Sequence, residues 1–275
     1  VSIDERSLAA VGPWPWSWEA IADLVDKINE AGAQLQIHDI LYPAGERAND
    51  ARLVDSLTKN DKSIIAQLPI LQPQSETLRS GTLTHSASGI SCQNSGEVGQ
   101  FPQAKGFIGS SDLLTSVPKG HIAPVIDPDG SVRRIPAMVC ADGSAFPALS
   151  LAPFFQLVGS QGQSWQAEVH GGKGVFSPNQ VLKFNSYPGL EIPLDGEGAM
   201  RISYRRSPSA FRSISALDIL NGNLDERSLD NVLVLVGATA FGLDDIVPTP
   251  YSGSSPGVEL QARLLSSVLD EQVPF

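Results

Sequence analysis

The sequence predicts an α/β fold: a three-layer sandwich with a mainly parallel central sheet and an irregular β-rich middle segment. Three observations carry this. Val232 to Val236 (VLVLV) is an unbroken apolar run, the pattern of a strand buried on both faces. Trp18 to Ala31 has helical periodicity and is joined by short turns to strand-like segments on either side. Strand, helix, strand with short joints makes a βαβ unit, whose strands run parallel. Finally, Val258 to Leu269 reads as a helix returning from the Val232 to Val236 strand through a loop rich in proline and glycine.

In chain order, Val1 to Asp4 reads as a short strand ending on a carboxylate, and Glu5 to Val11 as a turn or short helix. Gly12-Pro13-Trp14-Pro15-Trp16 is held extended, because a residue before proline is pushed out of the α region. The two indoles are either a cap over the core or an aromatic wall of a ligand pocket. Ser17 suits the N-cap of the next helix, with Glu19 in its first turn and Trp18, Ile21, Leu24, Val25 and Ile28 on one stripe. Gly32 stands where a left-handed C-cap is expected. Ala33 to Ile40 is the second strand, Asp50 to Lys59 a helix and Ser63 to Leu68 a third strand.

Gln72 to Lys105 is polar and has no clear period. So long a structureless loop is uncommon inside a compact domain, so short strands or an accessory lobe are expected there. Ile122 to Ile126 and Val132 to Cys140 flank Asp127-Pro128-Asp129-Gly130, a hairpin turn by composition. Ala145 to Gly159 is expected as a helix with Pro147 in its first turn. A loop from Gly159 to Gly174 should follow. Val181 to Phe184 and Met200 to Tyr204 are expected strands around a Pro/Gly-rich connection. A short helix beginning at Ser213 or Ser215 should end at Asn221-Gly222. The whole of 1–275 is read as one unit.

Composition narrows the function classes. The 275 residues are 41% hydrophobic and 18% charged, enough apolar material for a real core. A formal net charge of -11 argues against a nucleic-acid partner and against peripheral docking on anionic lipid. No apolar run reaches the ~18 residues of a membrane helix. Cys92 and Cys140 are either a bridge or two unpaired small hydrophobes.

Several chemical motifs fail on inspection. Gly253-Ser254-Ser255-Pro256-Gly257 fits the nucleophile-elbow pattern, but Pro256 has no N–H to lend an oxyanion. The run from Gly237 to Gly242 lacks the lysine and glycine spacing of a phosphate loop. Asp127 and Asp129 lack the further ligands of a calcium loop. His38, His85, His121 and His170 have no useful mutual spacing. The carboxylates say more. If the strands share one parallel sheet, Asp4, Asp39, Asp244 and Asp245 lie near its carboxyl edge, where open α/β sheets bind ligands. They would take a cation or an amine-bearing ligand, or else each caps a turn or a helix. Arg133 and Arg134 either pair with one of these carboxylates or are solvated.

The residues Gly237-Ala238-Thr239-Ala240, Gly242-Leu243, Asp245, Thr249-Pro250 and Pro256-Gly257-Val258-Glu259 resemble the C-terminal signature of CHASE2 domains. Ile3-Asp4, Ser7-Leu8, Gly12, Trp14-Pro15-Trp16, Ala31-Gly32-Ala33 and Asp39-Ile40 match the start of the family. Asp127, Asp129-Gly130, Val132-Arg133-Arg134 and Pro136 match its middle. The family places a histidine before the alanine of the last helix, where this chain has Gln261 before Ala262. The resemblance implies the periplasmic or extracellular input module of a bacterial inner-membrane receptor. It also implies a membrane helix before Val1 and more after Phe275, so the chain reads as an excised ectodomain. The output would be an adenylate cyclase, a diguanylate cyclase or a histidine kinase.

The expected function is therefore ligand sensing without catalysis or cofactor. The ligand is a small molecule or ion held among Asp4, Trp14, Trp16, Asp39, Arg134, Asp245 and Thr249. The alternatives are a periplasmic enzyme using Asp4, Asp39 and Asp245, or a ligand-free dimerisation module. A homodimer through Val258 to Leu269 is expected because Leu260, Leu264 and Val268 form a second apolar stripe on that helix.

Overall fold

The computed structural model describes residues 1–43, 51–72, 78–92, 99–159, 166–172, 177–185, 187–225, 227–243 and 246–275. The chain opens with β1 (Ser2–Ile3), α1 (Glu5–Val11), α2 (Trp18–Glu30), β2 (Leu35–Asp39), α3 (Ala51–Thr58) and β3 (Ser63–Ile70). Then follow β4 (Arg79–Ser80), β5 (Gly106–Ile108), β6 (Lys119–His121), β7 (Val125–Ile126), β8 (Val132–Pro136), β9 (Met138–Ala141), β10 (Ser144–Pro147) and α4 (Ala152–Gly159). β11 (Ala167–Gly171), β12 (Gln180–Phe184), β13 (Tyr187–Leu194), β14 (Ala199–Arg201) and α5 (Ala216–Leu220) lead to β15 (Leu233–Ala238). β16 (Ile246–Val247), β17 (Ser255–Pro256) and α6 (Gly257–Leu269) close the chain.

The central sheet has the order β1-β15-β2-β3-β5-β4, with β6 also on β3. β1, β15, β2, β3 and β6 all run the same way, and β5 runs antiparallel to β3. The expected common direction of Val1 to Ile3, Leu35 to Ile37 and Val232 to Val236 therefore holds. The two-residue period of a strand divides β15 between two cores. Val234 and Val236 join Ile3, Ile65 and the buried residues of α2, α3 and α5. Leu233 and Leu235 face the other way, against the cluster of Leu35, Ile37, Ile64, Ala66 and Leu265. In α2, all five residues of the expected stripe are buried, and the Ser17 hydroxyl accepts the Ala20 N–H at 3.2 Å. Gly32, just past the helix end, has φ 95°, and a Cβ there would strike the Asp230 side chain.

Val258 of α6 lies over Gly237, near the carboxyl end of β15. Leu265 packs with Leu35, at the amino end of β2. Helix α6 therefore runs from the carboxyl edge of the sheet toward its amino edge, whereas the two residues of β1 lie level with Gly237 and Ala238 at the carboxyl end. Its second apolar stripe is covered by the chain itself. Leu260, Leu264 and Val268 join Ile135, Met138 and Met200 in the core of the β-rich part. The argument for a dimer from an uncovered stripe loses its basis, because α6 is clasped between the sheet and a second core.

The middle of the chain departs most from expectation. The segment 145–159 is not one helix. β10 pairs antiparallel with β9, Pro147 ends that strand, and α4 starts only at Ala152. The long strand from Val132 breaks at Ala137, whose N–H turns to the Gly198 carbonyl. β11 occupies part of the expected loop after Gly159, and the Pro/Gly-rich connection is β13. These strands were illegible because their partners are distant or weakly patterned; β11-β12-β13 and β14-β8-β7 are small separate sheets. The Asp127 to Gly130 hairpin is present, with the Gly130 N–H on the Asp127 carbonyl at 2.8 Å. A disulfide joins Cys92 to Cys140, with Cα atoms 5.8 Å apart.

Candidate functional site

At the carboxyl edge, Ile3 of β1 is in register with Ala238 of β15, and Gly237 with Asp39 of β2. Asp4 and Asp39 thus reach the same edge, with β15 between them. Asp4 works locally. Its Oδ1 accepts the Ser7 N–H at 2.9 Å, the Ser7 hydroxyl at 2.6 Å and the Ser215 hydroxyl at 2.8 Å. Burial works against its charge, but the Ser7 and Ser215 hydrogen bonds prevail and hold the carboxyl below its ordinary pKa. This is N-capping of α1.

The two tryptophans belong to the opposite face of the sheet from α6. Trp16 is buried among α2 residues and donates Nε1–H to the Gly12 carbonyl at 2.9 Å. Trp14 lies half-buried against the same cluster, its ring edge-on to Trp16. They cap the core. Arg134 is on β8, outside the central sheet. Its guanidinium binds Asp127 at 2.8 Å, Asp195 at 2.9 Å and Glu197 at 3.2 Å. Asp127 is shared with Arg133, and the two arginines hold it below the ordinary carboxylate pKa. This network ties two turns together. Thr249 is buried within its own turn, its hydroxyl donating to the Ser252 carbonyl at 3.1 Å. Asp244 and Asp245 lie outside the described residues.

His38, next to Asp39, points toward α2. Gln36 Nε2 donates to the Val25 carbonyl and to Asn29 Oδ1, both at 2.9 Å, so its Oε1 is an acceptor. His38 Nε2–H then donates to that oxygen at 3.3 Å, and Nδ1 accepts the Tyr42 hydroxyl at 3.0 Å. Burial drives His38 down to about 3, so the ring is neutral.

Asp39 alternates with His38 and so takes the α6 face, with Leu35 and Ile37. It is 6% exposed. Above it, Gln261 stands on α6 between Val258, which covers Gly237, and Leu265, which packs on Leu35 and Ile37. With i,i+3 and i,i+4 positions sharing a helix face, Gln261 projects onto the sheet between the levels of Ile37 and Asp39. It is 3% exposed, and its Oε1 has no hydrogen-bond partner. Gln261 escaped the sequence reading as a site residue. The available signal was a carboxamide inside an apolar helical stripe.

Of the residues expected to converge, Asp4 and Asp39 reach the same edge of the sheet, while Trp14, Trp16, Arg134 and Thr249 lie elsewhere. Among the described residues no group of three or more His, Cys, Asp or Glu is placed to hold a metal. Nor is any helix among them long and apolar enough to cross a membrane. The architecture is that of a mixed α/β domain with a central sheet and several small sheets. The chain belongs to the CHASE2 domain family, whose model matches residues 1–274. CHASE2 domains are extracytoplasmic sensory domains. No curated protein and no solved structure matches this chain.

Proposed function

We propose that this chain is the extracytoplasmic ligand-sensing part of a bacterial transmembrane receptor, with helices on both faces of its sheet forming a three-layer core. The observation that carries this reading is the course of α6. One helix begins over Gly237, in register with Asp39, and runs toward the opposite, amino edge of the sheet. A small molecule or ion bound at the carboxyl edge would bear on the start of α6. A membrane helix following α6 would feel the movement at the opposite edge. The rearrangement would pass to a cytoplasmic adenylate cyclase, diguanylate cyclase or histidine kinase, and no catalytic step is assigned to these residues.

The Cys92–Cys140 bridge supports the placement, because disulfides persist in oxidising compartments and are rare in the bacterial cytosol. Thiol trapping in growing cells tests it. Acid-quenched cells are denatured in the presence of a maleimide reagent, and the expected result is no labelling of either cysteine without prior reduction. Two free thiols in the cell would overturn the extracytoplasmic placement.

A further inference from the structure

We infer that the pocket between α6, β15 and the segment 206–214 takes a small amphiphilic monocarboxylate, its apolar body against Leu233 and Leu235 and its carboxylate on Arg212. This rests on the sensor reading for its role and gives that sensor's ligand a chemical class. Helix α6 lies over β15 and β2, which leaves β1, the edge strand, beyond it. The segment 206–214 spans this open side and is tied at both ends. The Arg206 carbonyl accepts the guanidinium of Arg263 on α6 at 2.6 Å, and the Ile214 carbonyl accepts the Ser2 N–H of β1 at 2.8 Å. Between the ties is a cavity of about 440 Å³. Small-molecule sites run from about 300 to 1,000 Å³. At about 30 Å³ per water, the space suits a ligand of about fifteen non-hydrogen atoms at most. Leu233 and Leu235 of β15, Val258 and Ala262 of α6, and Phe211 and Ile214 of the segment line it. All six are half-buried, so folding leaves apolar surface there for a ligand to cover.

The second half of the argument is charge. The charged side chains lining the pocket are Glu259 and Arg212. Glu259 is already committed: its Oε1 accepts Arg263 Nε–H at 2.9 Å and Arg263 Nη2–H at 2.6 Å. Arg212 is exposed, and among the described residues it makes no ion pair and no hydrogen bond. The uncompensated charge of the pocket is therefore a single positive one. A guanidinium presents paired N–H donors that match the two oxygens of a carboxylate. A phosphate monoester carries close to two negative charges and would bring the second toward Glu259. A cationic amphiphile has the wrong sign for Arg212. Val258 and Glu259 stand in the first turn of α6, so a ligand in this pocket bears directly on the start of that helix.

The experiment uses the 275-residue chain. Sodium decanoate, below its micellar range, is titrated by calorimetry against 1-decanol, decyltrimethylammonium bromide, decyl phosphate and sodium acetate. The expected result is saturable decanoate binding at one molecule per chain, weaker binding of decanol and decyl phosphate, and no response to acetate or the cationic amphiphile. Arg212→Gln should weaken decanoate binding by about tenfold, as loss of a hydrogen bond to a charged group does. Ala262→Phe should fill the cavity and abolish binding. Ala262→Leu serves where the phenylalanine variant does not fold, and circular dichroism checks each. Equal affinity for decanoate and decyltrimethylammonium, or undiminished decanoate binding in a folded Ala262 variant, would overturn the inference. So would the absence of decanoate binding together with a concentration-dependent dimer that Ala262→Phe abolishes, the pocket then belonging to a second copy. Such failures leave the thiol-trapping result untouched, so the ligand class and the sensor reading fall separately.

Discussion

Val258 sits directly on Gly237: a Cβ added at Gly237 would lie 2.6 Å from the Val258 Cβ and 2.8 Å from its Cγ2. The glycine is required here by close approach. The helix that leaves the loop after β15 returns onto the same strand, and only a residue without a side chain lets it settle. Gly237→Ala should cost about 1–3 kcal/mol, the usual range for overpacking a filled core. Urea denaturation of the two proteins reads this directly. An unchanged midpoint would mean that α6 is not seated on β15.

Leu264 is fully buried between α6 and the β-rich part. Placing a carboxylate there costs several kcal/mol. Leu264→Glu should therefore unfold the chain or leave it insoluble. A helix stripe serving only a dimer would instead yield a well-folded monomer. Circular dichroism and sedimentation on the same sample separate the two.

Arg134 joins the Asp127 turn to the Asp195 turn, with 25% of its side chain exposed and 13% and 16% of its two main partners'. Arg134→Ala removes charge-assisted hydrogen bonds to both. A loss of about 1–3 kcal/mol is expected. Calorimetric unfolding checks it. Unchanged stability would mean that the Arg134 ion pairs tie the two turns together only weakly.

His38 and His121 are both lowered to about 3 by burial, with the Pro136 carbonyl acting weakly the other way on His121. In the unfolded chain each titrates near 6.5. Between those values the unfolded state binds more protons than the folded one, so stability is full above about 6.5 and falls as pH drops toward 3. Each histidine contributes a slope of about 1.4 kcal/mol per pH unit inside that window. Denaturation midpoints at pH 7 and pH 5.5 test it. His38→Gln should flatten the slope if it folds; no slope in the wild type would contradict burial of both rings.

The Cys92–Cys140 bridge closes a loop with a sequence separation of 48. Chain-entropy arguments put its stabilisation at about 4 kcal/mol, and measured effects run at about 2–4 kcal/mol. Reduction, or Cys92→Ser with Cys140→Ser, should lower the denaturation midpoint accordingly. Identical midpoints with and without reductant would show that the bridge constrains nothing.

The sequence alone determined the elements whose signal is local. The VLVLV run, the stripe of α2 and the apolar faces of α6 are written in short periods. Burial of a long apolar segment leaves a strand or helix few alternatives. The parallel direction of β1 and β2 followed from the strand-helix-strand order around α2, whereas that of β15 was an expectation that only the sheet could decide. What only the tertiary structure decided depends on partners far away in the chain. Asp4 and Asp39 look alike in sequence, each ending a strand. One meets the hydroxyls of Ser7 and Ser215 and becomes a cap. The other sits opposite Gly237, under α6. Arg134 reads as solvated or as paired with an edge carboxylate until the chain brings Asp195 and Glu197 to it. The helix expected from Ala145 fails because β9 offers that segment a ladder. Hydrogen bonds and charges are satisfied by whatever group folding delivers, and a residue's neighbours in sequence do not specify which group that is.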